Sequence, residues 1–269
     1  MKDAPLSTGS DGAQSVRRAI TVLRLVAAGQ DQGVRLTDIA TLAGLTLPTA
    51  RRILKVLMDE TAIEQDPITR RYRIGNEITL LGLARPAGLS LRAVAEPYLS
   101  NLAAQVGDTI FLSVRHGADS VCIGRYLGSH AIQVLSIQVG ARRPLGASVS
   151  GVMLLAGMDV KEATEITHAN QRRLEGLGLS VKAVLTQVAT ARRQRYVYAS
   201  QGVMNGTSAL AVGVSDASGH VVGAVSIATL ANRLARDRVR SLVEVMRGQA
   251  EHVSQRLMEI DQARRQTRS

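Results

Sequence analysis

Arg51, Arg52 and Lys55 lie within four residues of one another in the segment Leu47-Pro48-Thr49-Ala50-Arg51-Arg52-Ile53-Leu54-Lys55. The chemistry open to such a group is recognition of a polyanion, because a guanidinium can grip a phosphate or the major-groove edge of guanine through two hydrogen bonds. Three cations can do this only if one rigid element holds them on one side. The apolar spacing supplies that element. Ala50, Ile53, Leu54 and Leu57 fall at i, i+3, i+4 and i+7, so a helix turns them inward and leaves Arg51, Arg52 and Lys55 outward, with Thr49 on the flank. Thr46 stands where a helix takes its cap, and Pro48 falls in the first turn, where its missing N–H has no partner to lose. Upstream, Leu36, Ile39, Ala40 and Ala43 mark a shorter helix, and Gly44 follows where a tight turn needs positive φ. Residues 36–57 therefore read as a helix-turn-helix whose second helix fits the major groove. Taken alone, that helix is also compatible with a solvated basic face on an ordinary core helix.

The neighbouring segments favour the first reading. Residues 63–74 predict two short strands around an Asp66-Pro67 turn, with Arg70, Arg71 and Arg73 on the return strand, which makes a basic wing beside the helix. Before the pair, Val16, Ala19, Ile20, Leu23 and Val26 predict an amphipathic helix ending near Gly29, the third helix of a small bundle. Thr46, Thr49, Arg51, Arg52, Lys55, Arg70, Arg71 and Arg73 are the candidate DNA contacts.

Composition sets bounds on the whole. The 269-residue chain is 45% hydrophobic, enough for two domains with real cores. Its formal charge of +11 points to a polyanionic partner, since clustered Lys and Arg gain affinity by releasing counterions from phosphates. A membrane surface fits less well, because the chain has no Trp and one Phe to anchor it. No apolar run is long enough for a membrane span and the first 13 residues lack a signal-peptide pattern, so a cytoplasmic protein with a disordered lead-in over 1–13 is expected. The single Cys122 has no disulfide partner and reads as core filling.

After Ile74-Gly75, residues 76–90 predict a linker helix interrupted by Pro86 and Gly88. The second domain, 91–262, opens with Val94, Tyr98, Leu102 and Val106 on a helix stopped by Gly107. Strands are predicted at 109–114, 120–126 and 132–139, a loop of small residues at 140–151, and helices around 152–156, 160–168 and 181–195. Two strands return at 208–214 and 221–229, and a long helix runs from about 235 to 261 before a basic, mobile tail at 263–269. Catalysis is not indicated. The chain has no Gly-x-Ser-x-Gly elbow, no His-Glu-x-x-His, no phosphate loop and no Cys/His cluster, and no cofactor or metal is expected.

These segments together resemble the IclR-type transcriptional regulators. The resemblance is carried by Gln14-Ser15-Val16-Arg17-Arg18-Ala19, by Gly44-Leu45 with Thr49-Ala50-Arg51-Arg52-Ile53-Leu54, and by Tyr72-Arg73-Ile74-Gly75. In the second half it is carried by Arg143-Pro144-Leu145-Gly146-Ala147-Ser148-Val149-Ser150-Gly151, by residues 206–214 and by Val222-Gly223-Ala224-Val225-Ser226-Ile227. It implies an α+β chain: an N-terminal winged helix-turn-helix domain (14–75), a linker helix, and a C-terminal GAF-like α/β ligand-sensing domain. The partners it implies are a double-stranded DNA operator, a small-molecule effector of the organic-acid kind and a second or fourth copy of the chain, with no membrane. The implied effector site is Leu145, Gly146, Ala147, Ser148, Ser200, Ala209 and Ser226; Phe111, Tyr126 and Met153 are candidates for its apolar walls, with plain core packing the more ordinary role of each. The loop at 146–148 runs into a helix N-terminus, where free N–H groups favour a carboxylate. Arg142 and Arg143 add positive field there or are solvent-facing charges on a strand end. Arg195-Tyr196 stands where the family usually has Gly-Tyr, Ser200 where an acid is common, Gly202 near a usual glutamate and Ala209 where several members have cysteine. That substitution pattern implies a ligand less polar than a small keto acid, or weak effector dependence.

Overall fold

The computed structural model describes residues 10–84, 91–135, 137–234 and 236–268, and the chain divides into two units between Gly88 and Leu89. In the first unit α1 (Ser10–Ala28), α2 (Leu36–Ala43) and α3 (Leu47–Asp59) pack around Val22, Val26, Ile39, Leu54 and Leu57, all buried. The bundle is closed by the antiparallel pair β1 (Ile63–Gln65) and β2 (Tyr72–Ile74), which bury Ile63 and Tyr72 in the same core, and α4 (Asn76–Leu83) follows. Gly44 ends α2 at φ +62°, ψ 35°, the left-handed conformation that the turn between the two helices needs. Helix α1 begins four residues inside the expected lead-in. The remainder of that lead-in and the Pro86-Gly88 end of the linker lie outside the described residues.

In the second unit α5 (Leu91–Val106) leads into a six-stranded antiparallel sheet. Its strands are β3 (Thr109–His116), β4 (Asp119–Tyr126), β5 (Arg142–Pro144), β6 (Val197–Ala199), β7 (Thr207–Ser215) and β8 (Val221–Leu230), in the order β5-β4-β3-β8-β7-β6. Between β5 and β6 run α6 (Val149–Ala156), α7 (Val160–Ala169), α8 (Gln171–Glu175) and α9 (Val181–Gln194), and the chain ends in α10 (Arg236–Arg268). Side chains alternate across a strand, and here the alternation is also one of size. Leu210, Val212, Val214, Val225 and Ile227 pack on one face in the core shared with α5 and α10, whereas Ala211 and Ala224 join the core of α6 to α9 on the other. The register pairs Ala209 with Ala228, Ala211 with Ser226 and Gly213 with Ala224 on that second face.

Two expectations are corrected. Residues 132–139, apart from the undescribed Ser136, are no strand. The β4 edge is already taken, since Cys122 bonds to the backbone of Gly140 and Ala141 and β5 pairs with residues 119–121. The segment is instead tied by the Gln133 side chain to Thr109 and to the carbonyls of Gly107 and His130, with Val134 buried against Phe111, Cys122 and Ala228. The stretch 140–151 is accordingly not all loop. At the other end α10 reaches Arg268, so the expected tail is helical.

Buried Asp108, 2% exposed, locks the far end of the unit. It accepts from Thr229 at 2.8 Å and pairs with Arg233 at 3.2 Å and Arg238 at 3.7 Å. Burial pushes the Cys122 thiol up to about 11, so at neutral pH it is a packed, protonated side chain. Among the described residues no helix is long and apolar enough to cross a membrane.

Arg195 ends α9 at φ +63°, the conformation glycine adopts without steric cost. Its side chain is exposed. Arg195→Gly is therefore expected to raise the stability of the second unit by about 1 kcal/mol, read as a higher urea midpoint. An unchanged or lower midpoint would mean the left-handed turn carries no strain.

Candidate nucleic-acid interface and effector cavity

Helix α3 is built as its spacing predicts. Thr46 takes the cap position, its Oγ1 accepting from the Thr49 backbone N–H at 3.4 Å and meeting the Thr49 hydroxyl at 2.9 Å. Both threonines are thus occupied in starting the helix. Ala50, Leu54 and Leu57 are buried and Ile53 half-buried, while Arg51, Arg52 and Lys55 are exposed on the opposite side. Those three line a shallow depression with Leu36, Leu47 and Pro48.

The wing differs from its prediction. Arg73 alone of the three arginines lies on β2. Arg70 occupies the turn at φ +58°, and Arg71 lies between turn and strand. Asp66 organises the turn by accepting from the Ile68 and Thr69 backbone N–H groups, and those bonds, Thr69's foremost, hold its carboxyl below the usual value. Arg73 pairs with Asp66 at 3.4 Å, and Arg71 donates to the Gly33 carbonyl at 3.0 Å and the Gln32 carbonyl at 3.5 Å. Two of the three guanidiniums therefore hold the wing to itself and to the loop after α1. Arg70 makes no side-chain hydrogen bond or ion pair with the described residues, and it stands beside Ile68, 90% exposed at the tip.

In the second unit a cavity of about 260 Å³ opens on the small-residue face of the sheet. Six of the ten predicted effector residues line it: Phe111, Gly146, Ala147, Ser148, Ala209 and Ser226. Tyr126 does not, because it packs on the opposite face with the core of α5 and α10. Leu145 is fully buried beneath the wall in the α6–α9 core, and Ser200 is exposed in the turn after β6, its carbonyl accepting from Ser208. Met153 is in that same core and outside this cavity. The loop at 146–148 does run into α6. Gly146 turns at φ +98°, and Ser148 caps the helix by accepting from Gly151 N–H. A Cβ at Gly146 would stand 2.7 Å from Val184, so the loop passes α9 as closely as glycine permits. The buried Ser150 hydroxyl donates to Ser226 Oγ at 2.9 Å, which leaves the Ser226 proton free to serve a ligand.

The sequence reading missed Gln187, Gln201, Thr207, Leu177, Leu179 and Val203, which complete the wall. One signal was available. The alternation of small and large residues in 209–214 and 224–228 marks a strand face with nothing large to fill it. Arg142 and Arg143 separate as adjacent strand residues must. Arg142 binds Asp119 at 3.1 Å and His116 Nδ1 at 2.9 Å, whereas Arg143 lines the cavity. Among the described residues no three of His, Cys, Asp and Glu come together as a metal site would require.

Known proteins share this arrangement. The helix-turn-helix domain of IclR matches residues 15–67, and the bacterial transcriptional regulator IclR C-terminal domain matches residues 87–255. The HTH-type transcriptional repressor AllR of Salmonella paratyphi A is 30% identical over 250 residues, 92% of this chain and 91% of the repressor. The glycerol operon regulatory protein of Streptomyces griseus is 31% identical over 83% of this chain and 87% of its own length. A solved IclR homologue from Microbacterium hydrocarbonoxydans, complexed with 4-hydroxybenzoate, superposes with a TM-score of 0.70 at 26% identity, covering 90% of this chain and 98% of that one. With both halves matched and a relative of that identity spanning nearly the whole chain, the protein belongs to the IclR family of DNA-binding transcriptional regulators, which are not enzymes.

Proposed function

We propose that this regulator holds a specific operator and that a small organic acid, or a less polar relative of one, sets how tightly. The observation that carries the ligand half is the cavity between β7, β8 and the N-terminus of α6, with the Ser226 hydroxyl in its wall. Its volume of about 260 Å³ suits a ligand of few heavy atoms, near the low end of small-molecule pockets. The homologue complexed with 4-hydroxybenzoate supports an acid of that scale. The operator half rests on α3, with Thr46, Thr49, Arg51, Arg52 and Lys55 presented to the major groove and Arg70 at the wing tip.

Mechanistically, two winged units in a homodimer, or a pair of such dimers, read half-sites about one helical turn apart or a multiple of it. Ligand need only favour one arrangement of those units over another. A coupling of about 1–3 kcal/mol changes operator affinity about 5- to 150-fold, enough for a switch. The rival reading, a regulator with little ligand response, draws on Ala209 and Gly202, two wall positions that offer a ligand no polar side chain.

The test is fluorescence anisotropy on DNA from upstream of the protein's own gene against scrambled DNA, across a salt series and with candidate acids. A preference of about a thousandfold that shifts with an acid supports the proposal. A preference that no acid shifts favours the rival. Binding that is equal on both DNAs and steeply salt-dependent fits a non-specific architectural binder and overturns the operator half.

Residue by residue, Arg52→Ala should cost about 1–3 kcal/mol of operator binding with folding intact, and unchanged binding would remove Arg52 from the interface. The wing arginines should divide. Arg70→Ala weakens DNA binding without moving the unfolding transition, whereas Arg71→Ala lowers the stability of the first unit by about 1 kcal/mol through its lost carbonyl bonds. Equal effects of the two on unfolding would contradict that division. Ser226→Ala should weaken the acid response while operator binding persists. An unaltered calorimetric affinity would refute the serine's role.

A further inference from the structure

Arg143 differs from several of the cations that flank the sheet. Arg142 is held by Asp119, Arg233 and Arg238 by Asp108, and Arg192 donates to the carbonyls of Ala156 at 3.1 Å and Met158 at 2.8 Å. Each of those guanidiniums has its partners inside the fold. Arg143 is half-buried on β5, lines the cavity, and finds neither a carboxylate nor a hydrogen-bond acceptor for its guanidinium among the described residues. Burial alone pushes its pKa below the ordinary arginine value, with no anion to offset it. A partly desolvated guanidinium left without a partner is a cost that the fold carries and a ligand can remove.

The surroundings state what the ligand must be. None of the residues lining the cavity is acidic. Where α6 begins, the Gly151 and Val152 N–H groups are taken by Ser148 Oγ and its carbonyl, so the preceding Val149 and Ser150 N–H groups are the ones the helix leaves open. These open donors and the partial positive charge of the helix end add to the field of Arg143. Phe111, Ile137 and Ala209 make an apolar part of the wall, and the polar side chains Gln187, Gln201, Thr207 and Ser226 are uncharged. Arg143 is therefore the one charged group among the lining residues, and nothing there pairs with a second anionic charge. We infer that Arg143 fixes the charge of the effector: its guanidinium pairs with a single carboxylate whose remaining body is uncharged, so that this protein answers to monoanions and not to neutral compounds or dianions of the same shape.

This rests on the reading of the cavity as the effector site, and the test separates the two. Calorimetry on the full chain would compare acetate, pyruvate and benzoate with their uncharged amides, and benzoate with phthalate, at fixed ionic strength, in wild type, Arg143→Met and Arg143→Lys. The expected result is that wild type binds an acid and rejects its amide, and that Arg143→Met loses about 10- to 100-fold in acid affinity and most of the discrimination. Arg143→Lys, keeping the charge without the fork, should recover part of both. A purely structural role is separated by the ligand-free melting temperature. It should be unchanged or raised in Arg143→Met, where an unpaired cation has been removed, and a fall would overturn the inference. Equal binding of acid and amide to wild type, tighter binding of phthalate than benzoate, or undiminished acid binding by Arg143→Met would also overturn it while leaving the cavity as the effector site. Binding of no probe by wild type would overturn both.

Discussion

The alternation of large and small side chains along β7 and β8 is the constraint on which the second unit depends. Leu210, Val212, Val225 and Ile227 give one face enough bulk to bury two long helices against it, and each such side chain contributes about 1.5–3 kcal/mol when fully buried. Ala209, Ala211, Ser226 and Ala228 give the other face almost none. Helices α6 and α9 fill part of the space so left, against Ala211 and Ala224, and the rest is the cavity. One strand pair thus supplies both stability and a binding space. The two do not compete, because they lie on opposite faces and a residue that enlarges the cavity removes nothing from the larger core.

The first unit solves a different problem, which is to keep cations outward without losing the helix that carries them. Thr46 Oγ1 accepts from the Thr49 N–H, and Pro48 has no N–H to satisfy, so the basic face begins on a helix that is already capped. Charge is distributed less simply than the total suggests. Of the formal +11, the first unit carries +3 and the second +8. Two of the wing's arginines are spent on internal bonds. DNA affinity therefore rests on where a few guanidiniums stand, and the overall basicity of the chain belongs mostly to the unit that holds the cavity.

What the sequence disclosed follows from the range of the interactions involved. The helix-turn-helix was legible because its signals are local: a cap, a first-turn proline, a glycine at positive φ and an i, i+3, i+4, i+7 stripe all fall within about 20 residues. The hairpins at 116–119 and 216–219 were legible for the same reason. Residues 132–139 were misread because Ile132, Val134, Ile137 and Val139 favour a strand locally, while a strand needs a free edge, and that edge was taken by residues farther along. The internal partners of Arg71 and Arg73, the Gly33 carbonyl and Asp66, were not legible because the fold brings them to those side chains. Tyr126, a candidate for the cavity wall, takes the core-packing role instead, because its register opposite Ile110 puts it on the face that bears large side chains. Arg195 was flagged as a departure from a family glycine, and its φ of +63° shows the backbone kept the glycine conformation after the side chain changed.

A ligand in this cavity can alter DNA binding only through a difference in affinity between two arrangements of the protein. The walls are unequal candidates for that difference. The β7–β8 floor is a continuous ladder with one irregularity, at Val214 and Ser215, beyond the cavity residues. The β5 wall is three residues long, lies at the sheet edge, and is braced through Arg142 to Asp119, which also holds Arg173 of α8 at 2.7 Å. Asn170, the residue preceding α8, donates in turn to the Ala118 and Leu145 carbonyls on either side of that edge. An anion drawn to Arg143 therefore acts on a short strand joined by charge to a helix, whereas the same ligand meets a floor fixed by backbone bonds along its length. On the proposed reading, discrimination between arrangements belongs to the edge, where a shift disturbs a three-residue pairing with its side-chain links and leaves the β7–β8 ladder intact.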